Sequence, residues 1–268
     1  MPAIFATHGS AGVLACLLAA SGTVAGALPA LWMRTLSRPV EVAALASAAG
    51  LMLAAATLGL LDAAFSLVDA HGTGRGGRLG IIVAFIVGVG FIALLNHVLP
   101  HEHFVKGAEG GRHGGVSRTG WSHPRIWLLV IAIAIHKIPE GLAVGAGFGA
   151  PDNPTAWPVA AGITLQNVPE GLVVATSLRV LGYTRAVAAV TAASTGILGF
   201  AGGMLGLGTG ALFIGIVPLL LAVASGAMIY VVGGEIIPES HRHGDEDNAA
   251  LSLIAGFVSF LLLDLALV

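Results

Sequence analysis

Apolar residues in this chain come in runs of twenty or more, broken by short clusters of charge, glycine and proline. A helix rises about 1.5 Å per residue, so ~20 such residues cross the ~30 Å hydrocarbon core of a bilayer. Eight segments meet that length, at residues 9–32, 41–68, 79–99, 124–148, 156–180, 185–207, 211–236 and 249–268. They predict an all-α integral membrane protein, a bundle of eight transmembrane helices forming a single domain over 1–268. Connections are short except at 100–123, which is polar, glycine-rich and histidine-rich and carries His101, His103 and His113.

Basic residues orient the bundle. Arg34, Arg38, Lys106, Arg112, Arg118, Arg125, Arg179, Arg185 and Arg242 fall in connections on one side, and only Arg75 and Arg78 on the other. Cationic loops stay cytoplasmic. The histidine-rich loop is therefore expected in the cytoplasm, with both termini outside. The remaining cation, Lys137, lies within an apolar segment, where charge is costly and usually functional.

Composition agrees with this picture: 56% of residues are hydrophobic and 10% charged, against about 25% charged in soluble domains. The 39 glycines follow no triplet period and suit close helix contacts. A single cysteine, Cys16, excludes an internal disulfide and a thiolate-rich metal site. A net charge of −2 gives no field for nucleic acid, which is not expected as a partner. No basic region precedes the first apolar run, so that run is expected to be a retained helix.

The chemistry lies in an internal repeat. Segment four contains His136-Lys137-Ile138-Pro139-Glu140-Gly141, and thirty residues later segment five contains Gln166-Asn167-Val168-Pro169-Glu170-Gly171. In each copy a ligand-capable side chain and a glutamate are four residues apart, on one helix face. Facing each other, the two helices would converge His136, Glu140, Gln166 and Glu170. Each proline removes a backbone donor and frees the carbonyl four residues earlier, at Ile135 and Leu165, which is expected to loosen both helices. One imidazole, two carboxylates and an amide oxygen suit Zn²⁺, Fe²⁺, Mn²⁺ or Cd²⁺ better than Cu⁺, and Met52 of segment two offers a further, softer ligand.

These residues resemble the ZIP (Zrt-, Irt-like protein) divalent metal transporters, in particular their bacterial GufA-like branch. The two Pro-Glu-Gly repeats carry the likeness, supported by Gly233-Gly234-Glu235-Ile236-Ile237-Pro238-Glu239-Ser240-His241. The resemblance implies an inner-membrane, multi-pass homodimer that moves zinc into the cytoplasm by alternating access. It also implies a primary site of His136, Glu140, Gln166 and Glu170 with Met52 as companion. The metal is then substrate, and no resident cofactor is expected.

Relatives with two metals place asparagine after the segment-four histidine and a Glu-Pro pair in segment six. Here Lys137 stands at the first position, Gly199-Phe200 at the second, and Asn167 supplies a neutral amide. An ammonium three residues before Glu140 can enter the same pocket, hold both carboxylates ionised and repel a second divalent ion. One metal per site is expected.

A cytoplasmic exit site of His101, His103, Glu239 and His241 is compatible with the spacing, beside Glu235. Asp62 and Asp69 could attract cations at the outer entrance. Asn96, Thr164, Ser194 and Thr195 are expected to bond between helices. Two other functions fit a membrane metal site: an intramembrane metalloenzyme, and a metal sensor or channel. The absence of His-Glu-x-x-His and the duplication of ligands across two helices favour transport over hydrolysis.

Overall fold

The structure, a computed structural model, describes residues 2–70, 72–98, 123–150, 153–241 and 245–268. Among these residues all regular structure is helical. The helices are α1 (Pro2–Ala27, continued by a 3₁₀ turn at Leu28–Leu31), α2 (Arg38–Ala54), α3 (Asp62–Ala70), α4 (Gly74–Val98) and α5 (His123–Gly149). They continue with α6 (Ala156–Val180), α7 (Arg185–Leu212), α8 (Val217–Val231), α9 (Ile237–His241) and α10 (Glu246–Leu267). A π-helical stretch, Ala55–Leu61, joins α2 to α3 in one rod, and another, Val232–Ile236, joins α8 to α9.

Among the described residues six rods are long and apolar enough to cross a membrane: Gly9–Leu31, Arg38–Ala70, Gly74–His97, Arg185–Leu212, Val217–His241 and Glu246–Leu267. The other two, α5 and α6, have 27 and 25 residues but carry the repeat's polar side chains. Outward faces are apolar: Ile86 and Leu94 of α4 and Leu251, Leu262 and Leu265 of α10 are all exposed. A hydrocarbon solvent accounts for such faces, and helices satisfy their own backbone within it.

Local chemistry sets the joints. At the end of α6, Gly182 (φ 93°) caps the helix: its N–H reaches Arg179 O at 3.1 Å, and Tyr183 N–H reaches Leu178 O at 3.2 Å. Two residues on, Thr184 caps α7 by accepting from Val187 N. The chain thus reverses tightly, and α6 and α7 pack as neighbours.

One group of helices, α1, α5, α6 and α7, packs together; α2 packs on α10 and α4 on α8, with α2–α6 and α5–α8 contacts bridging the two sides. The expected loosening at Pro139 and Pro169 does not interrupt either helix, as α5 and α6 run unbroken through both. The glycine after each proline-glutamate pair explains why. A Cβ on Gly141 would stand 2.8 Å from Gly203 N of α7, and one on Gly171 3.2 Å from Thr23 Cα of α1. Each proline-bearing turn is braced by a neighbouring backbone that only glycine admits. The irregular turns lie instead in the rods across from them.

Candidate metal centre

Both copies of the repeat point inward. His136, Lys137, Glu140, Gln166, Asn167 and Glu170 are all buried, in a protein whose other buried side chains are mostly apolar. Ionised groups at such depth must find partners or ligands.

Lys137 gathers three of them. Its ammonium donates to Glu140 Oε2 at 2.8 Å, to Glu170 Oε2 and to Asn167 Oδ1. The Asn167 amide is oriented by its other end, whose Nδ2 donates to Ala19 O of α1 at 2.7 Å. Lys137 also has room beside α7, because a Cβ on Gly199 would lie 3.6 Å from the Lys137 Cβ, an ordinary contact. The three positions singled out by comparison with two-metal relatives, Lys137, Asn167 and Gly199, are therefore neighbours.

The carboxylates keep one oxygen each. Glu140 Oε1 and Glu170 Oε1 are buried without a hydrogen-bond partner, as are both polar atoms of Gln166. Buried orphans of this kind are rare and call for a bound partner. Three of these atoms, the two carboxylate oxygens and the Gln166 carbonyl oxygen, form a donor set from the two repeats suited to a hard or borderline cation. Among the described residues no three His, Cys, Asp or Glu side chains gather closely enough to hold an ion by themselves. Lys137 stands between the two carboxylates.

His136 faces the other group of helices. Its Nε2 lies 3.6 Å from Glu235 Oε1 on the π-helical Val232–Ile236, and that same oxygen accepts from Asn96 Nδ2 of α4 at 2.5 Å. Met52 is fully buried one turn before the π-helical Ala55–Leu61, in the apolar cluster that includes Ala143 of α5 and Ile163 of α6.

The exit residues divide. Glu239 is buried, while the His241 ring nitrogen Nδ1 lies 2.9 Å from Ile237 O within its own helix. His101 and His103 lie outside the described residues. Of the two carboxylates expected to attract cations, Asp69 is engaged in a two-bond pair with Arg78 at 2.6 and 2.9 Å, and Asp62 is exposed. Of the groups expected to bond between helices, Asn96 does so; Thr164, Ser194 and Thr195 instead donate to carbonyls three or four residues back, on Ala160, Thr191 and Ala192.

Sequence reasoning did not anticipate the two π-helical stretches. For Val232–Ile236 a signal existed: Pro238 frees the carbonyl of Gly234, the same logic applied to the repeats. For Ala55–Leu61 the cause is tertiary. Ser225 of α8 donates to Ala56 O at 2.8 Å and Thr155 to Gly59 O at 3.3 Å, satisfying carbonyls that regular turns would have used.

With this geometry in place, comparisons with known proteins are informative. A family model described as ZIP Zinc transporter matches residues 96–264. The zinc transporter GufA of Myxococcus xanthus is 40% identical over 258 residues, covering 96% of this chain and 99% of that protein. The zinc transporter ZIPB of Bordetella bronchiseptica is 37% identical over 251 residues, covering 92% and 78% respectively. The zinc transporter ZupT of Corynebacterium glutamicum is 30% identical over 247 residues, covering 90% and 92%.

Proposed function

This chain belongs to the ZIP zinc transporter family, and from that premise we propose that it carries one divalent transition metal ion at a time, zinc foremost, across the membrane. It is a multi-pass membrane protein and a transporter, not an enzyme. The metal is substrate, with Cd²⁺, Fe²⁺ and Mn²⁺ as further candidates. His136, Glu140, Gln166 and Glu170 bind it, with Met52 beside them.

The observation that carries this reading is the set of orphaned buried atoms, Glu140 Oε1, Glu170 Oε1 and the Gln166 amide, converging from a duplicated motif. A carboxylate oxygen in an apolar interior without a donor is costly by several kcal/mol. A cation removes that cost. Lys137 holds the opposite oxygens and takes the position a second ion would need, which supports a single-metal site.

The helix groups support alternating access. The ligands lie on α5 and α6, packed with α1 and α7, whereas Met52 and Glu235 lie on the opposing rods. A shift of one group against the other would carry the ion. We place all eight rods across the inner membrane, with the 100–123 loop in the cytoplasm, both termini outside and two copies forming a dimer. Basic-residue asymmetry supports this orientation, and movement into the cytoplasm follows the family's direction.

Zinc uptake into proteoliposomes loaded with a zinc-sensitive dye tests the reading. Saturable flux in the parent that disappears in Glu170→Ala is expected, with cadmium, iron and manganese run in parallel to rank the substrates. A folded parent that moves none of these metals would favour a sensor instead.

A further inference from the structure

We propose that Lys137 is a tethered counter-cation that lets the empty transporter reorient without carrying any ion back. The inference rests on the transport reading above and extends it to the return step.

Charge is the reason. With both carboxylates ionised, one ammonium leaves the empty site with a single negative charge, and a divalent ion turns this into a single positive charge. Neither state carries more than one unit. Without the lysine, the loaded site would be neutral and the empty one doubly negative. The self-energy of a buried charge grows with its square, so the empty return would become the slow step.

Geometry keeps the ammonium with the moving parts. Its three oxygen partners lie on α5 and α6, Asn167 is fastened to Ala19 O of α1, and the lysine stem passes Gly199 of α7. These helices form one packed group. All of these contacts travel together, and none has to break for the group to shift. Lys137 is 1% exposed, so solvent does not replace its role as counter-charge. Because it bonds only the Oε2 atoms, the Oε1 atoms remain for the metal, and the ammonium can stay in place in both states.

Two radiotracer measurements in proteoliposomes separate the loaded and empty half-cycles. Zinc exchange, with equal zinc on both sides, needs only the loaded carrier; net uptake into zinc-free vesicles needs the empty one to return. In the parent, net uptake should run within about twofold of exchange, and in Lys137→Gln or Lys137→Met the ratio of net uptake to exchange should fall at least about tenfold, whatever the change in exchange itself. A parent whose exchange outruns net uptake by about tenfold would overturn the proposal. So would a folded neutral variant that keeps the parent's ratio, or one in which both rates fall together, as a merely structural role demands. Should both neutral variants fail to fold, the parent ratio decides alone. A parent that moves zinc in neither assay overturns the transport reading itself, a result distinct from any altered ratio.

Discussion

Lys137 and Glu170, from two different helices, meet through one carboxylate oxygen only; the other oxygen of Glu170 is buried with no partner. Glu140 repeats the arrangement on the lysine's own helix. On the transport reading, a site divided in this way pairs a permanent cation with a place for a passing one. Most of its functional consequences follow from that division.

Removing a metal-binding oxygen should abolish binding at this site. Glu140→Ala and Glu170→Ala are expected to weaken zinc binding by more than the ~10- to 100-fold typical of an outer-shell partner. Calorimetric titration of the purified variants checks this, and a loss smaller than tenfold in both would remove the carboxylates from the ligand set.

Neutralising Lys137 should destabilise the metal-free protein more than the metal-bound one. Breaking a buried charge pair costs about 3–5 kcal/mol, because the remaining charges lose their partner. Zinc supplies a replacement cation, so thermal unfolding of Lys137→Gln should show a larger upward shift with saturating zinc than the parent does.

Glycines of α7 differ in what they tolerate. A Cβ on Gly203 would stand 3.0 Å from Cys16 Cβ and closer still to its sulfur, whereas one on Gly199 meets nothing nearer than 3.5 Å. Gly203→Ala is expected to cost about 1–3 kcal/mol through overpacking, and Gly199→Ala much less. Chemical denaturation of both variants in detergent tests the order.

Glu235 should act on zinc through His136. With Glu235→Ala the imidazole loses its neighbour at 3.6 Å, and zinc affinity should drop by about tenfold, as for an outer-shell partner. Asn96→Leu, which removes a donor to the same carboxylate, is expected to act in the same direction and more weakly. Parallel zinc titrations decide.

Much of this centre was legible in the sequence because membranes make polar residues conspicuous. A lysine, two glutamates and two amides in apolar runs, repeated at the same spacing, can hardly be accidental when each is costly to bury. The likeness to two-metal relatives singled out Lys137, Asn167 and Gly199, and the fold brings all three together. What stayed hidden was tertiary. Hydroxyls of Ser225 and Thr155 reach carbonyls far away in the chain to sustain the π-helical turn of Ala55–Leu61, and no local pattern encodes such a pairing. The link from Asn96 through Glu235 to His136 spans three rods for the same reason. Thr164, Ser194 and Thr195 were misjudged because the nearest acceptor for a helical hydroxyl in an apolar medium is its own helix's carbonyl.

The most direct test of a one-metal site is the difference in zinc stoichiometry between the parent and a Glu140→Gln/Glu170→Gln double variant, measured by metal analysis of folded, dialysed protein. Subtraction removes any zinc held by histidines elsewhere. A difference of one zinc per chain is expected; a difference of two, or none, would contradict a single ion held opposite Lys137.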